Sequence, residues 1–408
     1  IPMPSGTHSE PGIDPIPYAC QSITESDLEC VRKALLSPSI TRGKWVESFE
    51  AAVAVACCAP EAVAVSNGTV ALYLAMLAHG AGPHTHAICP AITFLATANS
   101  FLMCGAHLHY ADVNALNAQI DPGKLENQIT AIRNAHPHAD IMLASVSFAG
   151  DAGHLPEIDK ICKAHGVIHI EDAAHSLGAT YTGPSSEVFR SGSCVHSDAA
   201  ILSFHPAKHI TTGEGGMVLL HDASIARKVR RLRNHGFLAD DPRPFDLQEP
   251  WAYCQSELGT NAWMTDIQAA LGLSQLGRLQ SILERRRELA AWYSEKLTDR
   301  PFSSCLSVLP FNPHHAYHLQ LIQWKTPTLR RLAYEHLHRC GIRVQIHYVP
   351  LYRQPLQRQR VISDAPLPGA ESYYAGCMSL PLYPGLTDTQ RDRVMECLRG
   401  FCDQQTPG

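Results

Sequence analysis

The chain has 408 residues, a formal net charge of −5 and 14 cysteines. This length predicts a large domain and a smaller one rather than a single small core. The chain carries no basic block, no apolar run of membrane-spanning length and no signal peptide at its start, which argues against nucleic-acid and membrane partners. Its cysteines are scattered without a C-x-x-C pair, so we expect reduced thiols and a cytoplasmic protein.

The first half of the chain alternates strand and helix patterns. Residues 1–17 are rich in proline, glycine and serine and predict a loose N-terminal arm. Predicted strands then cover 62–66, 86–89, 108–111, 141–146, 167–170, 199–204 and 216–220, and predicted helices cover 69–79, 96–104, 122–136 and 156–164. This alternation indicates an α/β sheet with helices on both faces and a site at the carboxyl ends of its strands.

The second half has a different pattern. A long helical pattern over 265–297 leads away from the predicted sheet. Beyond it, the sequence predicts strands at 317–324 and 343–347, a helix at 329–340 and a final helix that begins near Thr387. We place a domain boundary inside the long helix. This divides the chain into the arm of 1–17, a large domain of 18–280 and a small C-terminal domain of 281–408.

Lys208 lies between two predicted buried strands, 199–204 and 216–220. Upstream of it, another apolar run ends at Asp172. A lysine and an acid at neighbouring strand ends are two parts of a pyridoxal 5′-phosphate site, because the amine holds the cofactor's aldehyde and the carboxylate keeps the ring nitrogen protonated. We therefore predict Lys208 and Asp172 as catalytic residues.

The cofactor's phosphate needs an anion-binding turn, and Ser66-Asn-Gly-Thr69 lies between a predicted strand and a predicted helix. The amides of Gly68 and Thr69 would point out of the helix N-terminus, although the same turn is also an ordinary strand-to-helix connection. Ser203 could add a hydroxyl at the phosphate. Phe94 is a candidate to stack on the pyridine ring, and a plain core position explains it equally well.

Two other interpretations of the sequence are a metal site and a non-catalytic binding module. The run from His169 to His175, with Glu171 and Asp172 between them, resembles a metal cluster. On a strand, however, His169 and Glu171 face one way and Asp172 the other, so we expect no metal. The other alternative is a non-catalytic, signal-binding module on an enzyme-like fold. A missing lysine would favour that module, and Lys208 is present.

Several ordered motifs resemble those of the DegT/StrS family of sugar aminotransferases, over about residues 18–398. The motifs are Ser66-Asn-Gly-Thr69-Val-Ala-Leu72, Thr93-Phe-Leu-Ala-Thr97-Ala-Asn99, Glu171-Asp172-Ala-Ala-His175-Ser-Leu-Gly178-Ala, Ser203-Phe-His-Pro-Ala-Lys208 with Thr212-Gly-Glu-Gly-Gly216, Arg233-Asn-His235-Gly236, and Leu258-Gly-Thr-Asn261 with Met264-Thr-Asp-Ile-Gln-Ala-Ala270. The resemblance implies the α/β fold of a fold-type-I pyridoxal-phosphate aminotransferase, with a central, mostly parallel sheet in the large domain and a smaller α+β C-terminal domain.

The resemblance also implies roles for individual residues. Lys208 would carry the cofactor as a Schiff base, Asp172 would pair with the ring nitrogen, and His175 would lie near the phenolic oxygen. Gly68, Thr69 and Ser203 would hold the phosphate, and Asn261 would reach the phosphate of a neighbouring subunit, which makes a homodimer with shared active sites the catalytic unit. The implied substrate contacts are Tyr18, Ser39, Ile40, Thr41, Gln345, His347 and Tyr348.

Within the family, three stretches are similar to one branch, which aminates a UDP-linked 4-keto-6-deoxy-N-acetylhexosamine for pseudaminic acid biosynthesis. They are Ile16-Pro-Tyr18 with Gln21-Ser-Ile23, Phe148-Ala-Gly150, and the run from Ser203 through Lys208 to Gly215. The implied amino donor is glutamate. A dTDP- or GDP-linked keto sugar is the alternative substrate. The chain departs from the family at Trp263, where arginine is common, and an indole cannot replace a guanidinium at an anion.

Overall fold

The computed structural model describes residues 14–244, 247–360 and 366–405. Its strands are β1 (Glu61–Val65), β2 (Thr85–Pro90), β3 (His107–Ala111), β4 (Asp140–Val146), β5 (Ile168–Asp172), β6 (Thr180–Thr182), β7 (Val188–Arg190), β8 (Ala199–Ser203), β9 (Gly216–Leu220), β10 (Leu306–Val308), β11 (Gln320–Trp324) and β12 (Cys377–Leu380). Its helices are α1 (Glu25–Leu35), α2 (Lys44–Cys57), α3 (Gly68–Ala78), α4 (Leu95–Met103), α5 (Pro122–Ala135), α6 (Leu155–His165), α7 (Ala223–Leu232), α8 (Asp266–Leu276), α9 (Leu279–Lys296), α10 (Phe302–Cys305), α11 (Pro327–Arg339), α12 (Pro355–Arg358), α13 (Pro368–Gly376) and α14 (Asp388–Gln405).

Seven strands form one large sheet in the order β1-β9-β8-β5-β4-β2-β3. The pairs from β8 to β3 are parallel, and β9 runs antiparallel to both of its neighbours. Strand β2 is buried along its whole length, and α3 and α4 pack against the sheet. The predicted α/β class is confirmed, and the parallel pairing brings the carboxyl ends of β5 and β8 to the same edge.

The smaller sheet is antiparallel, in the order β10-β11-β12. The predicted strand at 343–347 is wrong. Its backbone divides between two neighbours, because Arg343 N–H donates to the Ile16 carbonyl while Gln345 pairs with Ser379 as an isolated bridge. Strand β11 pairs with β12, a strand that the sequence analysis did not predict.

The predicted N-terminal arm lies mostly outside the described residues, which begin at residue 14. Its last part is packed rather than loose. Ile16 is buried among the side chains of the small sheet, and its amide donates to the carbonyl of Gly341 at 2.9 Å. An isoleucine that removes its side chain from water gains enough free energy to hold a short segment in place.

The long helical pattern is two helices, because α8 ends at Leu276 and α9 begins at Leu279. Between them, Arg278 forms an ion pair with the buried Asp27 at 2.6 Å and so turns toward α1. Further along α9, Ile282 packs with the core around β1 and β8, whereas Leu289 packs with the core of the small sheet. The division at residue 280 stays a proposal, which this change of core partners supports.

Across the described ranges, no helix is both long enough and apolar enough to span a membrane.

Candidate active site

Lys208 and Asp172 face the same cavity, of about 540 Å³, at the carboxyl ends of β5 and β8. Asp172 is the last residue of β5, and Lys208 follows β8 by five residues. Lys208 is half-buried, and burial lowers the pKa of its amine to about 8, although the charge of Asp172 opposes that shift. A lysine with such a pKa has a usable unprotonated fraction near neutral pH, which an amine nucleophile and base requires.

Two donors fix the carboxylate of Asp172. The hydroxyl of Thr97 donates to Oδ2 at 2.8 Å, and the amide of Ala174 donates to Oδ1 at 3.2 Å. Burial raises the pKa of Asp172 above its ordinary value, although these hydrogen bonds and the charge of Lys208 act in the opposite direction. Thr97 is in turn 2.9 Å from the hydroxyl of Thr93. Both threonines belong to the family motif Thr93–Asn99. The sequence did not predict that Thr97 orients Asp172, because the two residues are 75 positions apart.

The turn before α3 forms an anion-binding cradle. The side chain of Asn67 accepts from the Val70 amide at 2.9 Å, and the carbonyl of Asn67 accepts from Ala71. The amides of Gly68 and Thr69 are therefore left without an acceptor inside the helix and line the cavity. A Cβ at Gly68 would lie 2.9 Å from the Cβ of Ser203, so the closeness of these two segments requires glycine.

The donor set fits pyridoxal 5′-phosphate. Ser203, Gly68 and Thr69 offer one hydroxyl and two amides to a phosphate, and Lys208 and Asp172 stand further along the same cavity. A phosphate binds well at such a helix N-terminus. Apart from Asn261, the residues that the sequence predicts as the cofactor site are thus brought together, and their individual roles remain predictions.

His175 is buried and belongs to the same cavity. The amide of Ala149 donates to its Nδ1 at 3.3 Å, so the neutral ring carries its proton on Nε2. Burial, and next the charge of Lys208, hold its pKa well below the ordinary value. The ring of His318 lies 4.3 Å from that of His175 between centroids. His318 also lines the cavity, and sequence analysis missed it because it precedes β11, far along the chain from the strands of the large sheet.

A second group of residues that line the cavity is aromatic and consists of Phe94, Tyr18, His347 and Tyr348. Phe94 is 47% exposed and its ring lies 5.9 Å from that of Tyr348, so it is a cavity residue rather than core. His347 is held by the hydroxyl of Ser379, 2.8 Å from its Nδ1, and Tyr18 packs on it with ring centroids 5.6 Å apart. Whether Phe94 stacks on the cofactor and the others contact substrate stays predicted.

The remaining predicted contacts do not line this cavity. Gln345 faces Ser379 of β12. The segment Ser39–Ile40–Thr41 lies against the start of α8, where the Asp266 amide donates to the Ile40 carbonyl at 3.0 Å. Asn261 is exposed, although its neighbour Ala262 accepts a hydrogen bond from the Ser66 amide beside the cradle.

The acid and histidine run does not converge on one point. His169 Nε2 lies 2.7 Å from the Ser145 hydroxyl, whereas Glu171 accepts hydrogen bonds from Ser147, Ser191 and the Gly192 amide. Among the residues that the structure describes, no three His, Cys, Asp or Glu side chains are arranged to hold a metal ion.

A lysine, a carboxylate and a phosphate cradle at one edge of a mostly parallel sheet define a pyridoxal-phosphate aminotransferase of fold type I. The model of the DegT/DnrJ/EryC1/StrS aminotransferase family matches residues 21–399, and the chain belongs to this family. The predicted family, fold class, enzyme class and cofactor are confirmed.

Curated relatives and a solved structure agree with this assignment. The chain is 31% identical to a UDP-4-amino-4,6-dideoxy-N-acetyl-beta-L-altrosamine transaminase of Campylobacter jejuni, over 94% of this chain and 99% of the relative. It is 32% identical to GDP-perosamine synthase of Caulobacter vibrioides, over 91% of this chain and 93% of the relative. The structure of Helicobacter pylori PseC, an aminotransferase involved in the biosynthesis of pseudoaminic acid, matches with a TM-score of 0.84 and 27% identity, covering 96% of this chain and 100% of that one.

Proposed function

We propose that this sugar aminotransferase moves the amino group of glutamate to the 4-keto carbon of a UDP-linked 4-keto-6-deoxy-N-acetylhexosamine. The specific substrate would be UDP-2-acetamido-2,6-dideoxy-β-L-arabino-hexos-4-ulose of pseudaminic acid biosynthesis. The observation that carries amino transfer is the placement of Lys208 beside Asp172 in one cavity with the phosphate cradle. The choice of sugar is supported by the transaminase relative and by PseC.

Each residue has a task in this proposal. Bound pyridoxal phosphate supplies an electron sink for the C–H bond that breaks next to the amino group. The Lys208 amine takes the proton from the donor's α-carbon in the first half-reaction and delivers one to C4 of the sugar in the second. Asp172 would keep the ring nitrogen protonated, and His175, whose proton is on Nε2, would donate to the phenolic oxygen. Gly68, Thr69 and Ser203 anchor the phosphate.

A substrate panel tests the proposal. The enzyme is incubated with glutamate and with UDP-, GDP- and dTDP-linked 4-keto-6-deoxy sugars, and the amino sugars are quantified. We expect the UDP-linked N-acetyl sugar to be the preferred acceptor, with the Lys208→Ala variant as the inactive control. Preference for a GDP- or dTDP-linked sugar would establish the alternative instead, which the similarity to GDP-perosamine synthase supports. A protein that takes up no pyridoxal phosphate would favour the signal-binding module.

We further propose that the active form is a homodimer with shared sites. Asn261 is exposed and does not line the cavity of its own chain, and nearby Leu258 is 87% exposed. In a mixed dimer of Lys208→Ala and Asn261→Ala chains, one site collects both changes while the other is complete. Mixing the two variants should restore part of the activity. An active monomer in sedimentation would contradict the proposal.

A further inference from the structure

The cavity offers little positive charge to a nucleotide's diphosphate. Among the described residues that line it, the nitrogen bases are Lys208, His175, His205, His318 and His347. Burial lowers the pKa of every one of these histidines, so they are neutral near pH 7. Lys208 is committed to the cofactor, and Glu214 adds negative charge to the lining. A diphosphate bound without a cation would lose most of its charge-assisted hydrogen bonds.

Two arginines lie over the ring of Trp263. The guanidinium carbon of Arg233 is 3.8 Å from the ring centroid, and that of Arg42 is 5.2 Å away. Arg233 is buried and donates to Glu50 and to the carbonyl of Ala64, both at 2.6 Å, so it is occupied within the fold. Arg42 is exposed and forms no ion pair with an acid of the described chain. The indole holds the guanidinium, and no side chain or carbonyl among the described residues accepts a hydrogen bond from it.

The backbone around Arg42 is firmly placed. Arg42 has a φ of 56°, a left-handed conformation that is uncommon for a long side chain and costs free energy. The carboxylate of Asp266 accepts from the amide of Gly43 at 2.8 Å, and Thr41 pairs with Thr265. Such a conformation persists where surrounding contacts impose it and occurs often at ligand sites.

Arg42 does not line the cavity of its own chain, and neither does Asn261. The two segments that carry them meet at Trp263 and also expose bulky apolar side chains, with Ile40 49% and Leu258 87% exposed. Exposed apolar residues beside an unpaired cation are typical of a protein interface. The segments therefore fit a surface that closes on a second copy of this chain.

We infer that Arg42, seated on Trp263, binds the diphosphate of the nucleotide sugar in the active site of a second copy of this chain. The inference rests on the proposed function and on its homodimer. A guanidinium can donate two parallel hydrogen bonds to phosphate oxygens, and the indole beneath fixes its plane. Arg42 would thus supply the positive charge that an arginine commonly provides in this family at the position of Trp263.

Nucleotide affinity tests the role of Arg42. Binding of UDP, GDP and dTDP to the holoenzyme is measured by calorimetry, and the nucleotide that binds most tightly is kept as the probe. Arg42→Gln should weaken the probe about 10- to 100-fold, as expected for charge-assisted hydrogen bonds. Lys44→Gln removes a nearby exposed charge and should change affinity less than about twofold. Equal loss in both variants, or no nucleotide bound by the wild type, would refute the inference.

Two further measurements separate the alternatives. Trp263→Phe keeps an aromatic platform and should weaken the probe less than Trp263→Leu, with unfolding temperatures recorded because Trp263 also contacts the buried Arg233. A larger loss of pyridoxal phosphate affinity than of nucleotide affinity in Arg42→Gln would assign Arg42 to the cofactor's phosphate and overturn the inference. The reaction of the wild type with glutamate, followed by absorbance, tests the proposed function separately.

Hybrid dimers decide which site Arg42 serves. One chain carries Arg42→Gln, and the other carries Lys208→Ala, so only the first chain has a working lysine. If Arg42 acts across the dimer, that site receives an intact Arg42 and the KM for the nucleotide sugar equals that of the wild type. If Arg42 acts in its own chain, the KM equals that of the Arg42→Gln homodimer, and the cross-subunit role is wrong.

Discussion

The two sides of the cavity are built in different ways. The cofactor side comes from three short stretches at strand ends of one sheet, which contribute Gly68, Asp172 and Lys208. The other side combines Tyr18, from the N-terminal segment, with Phe94 and with His347 and Tyr348, which lie between α11 and α12. Local sequence can place the first set because each residue lies at the end of a buried strand or within five residues after it. The second set has no such local reference, so its composition depends on how distant segments pack against the large sheet.

The largest effect should come from Lys208→Ala. Its loss removes both the covalent attachment point and the base, and we expect turnover to fall by at least about 1000-fold. The cradle does not depend on the amine, so pyridoxal phosphate should still bind noncovalently in equilibrium dialysis. Lys160→Ala, at an exposed lysine, is the control and should retain full turnover. Substantial activity in Lys208→Ala would show that Lys208 is neither the attachment point nor the base.

Asp172→Asn should lower turnover by about 100-fold, since a neutral amide cannot hold a proton at the ring nitrogen. Thr97→Val removes one hydrogen bond to the same carboxylate and should cost much less, about tenfold. Steady-state kinetics with glutamate measures both. An equal loss in the two variants would mean that Thr97 does more than orient Asp172.

The lowered pKa of Lys208 predicts how cofactor attachment depends on pH. Only the unprotonated amine attacks an aldehyde, so the rate of covalent attachment, trapped with borohydride, should rise about tenfold per pH unit and level off near pH 8. Nα-acetyl-lysine in solution, with an ordinary pKa, should keep rising beyond pH 10. Because the charge of Asp172 raises the pKa of Lys208, Asp172→Asn should move the plateau to lower pH. If the attachment rate of Lys208 levels off at the same pH as that of Nα-acetyl-lysine, the lowered pKa of the lysine is wrong.

Gly68→Ala should weaken pyridoxal phosphate binding about tenfold, because its Cβ would push against Ser203 and open the cradle. Gly123→Ala is the matched control, since Gly123 also lies in the first turn of a helix and an added Cβ there meets only Asp121 Oδ1 at 3.6 Å. Cofactor titration of the apoenzymes gives both affinities. Indistinguishable affinities would show that the cradle tolerates the extra carbon.

The smallest effect should appear on the other side. Tyr18→Phe removes one hydroxyl that faces the cavity beside His347, and we expect the KM for the nucleotide sugar to rise about threefold. The affinity for pyridoxal phosphate should stay within experimental error of the wild type. A loss of cofactor affinity instead would mean that the two sides are not separate.

The sequence by itself determined the class of the fold and the centre of the site. Buried strands followed by Asp172, by Lys208 and by the Ser66–Thr69 turn are local patterns, and parallel strands bring their carboxyl ends together by geometry. The strand at Gly216–Leu220 was likewise predicted from its short apolar run, and the final helix from its start near Thr387 with Asp388 in the first turn.

Tertiary structure decided what depends on distant partners. Three contacts join segments that are far apart in the chain. They are the hydrogen bond from Thr97 to Asp172, the ring contact between His318 and His175, and the cation–π contact between Arg42 and Trp263. The strand predicted at 343–347 is wrong because Arg343 and Gln345 pair with two different segments, at Ile16 and Ser379, and the long helix is interrupted where Arg278 pairs with Asp27. Local patterns specify which residues are buried, whereas the partner that a buried or half-buried side chain meets is set only when the domains pack.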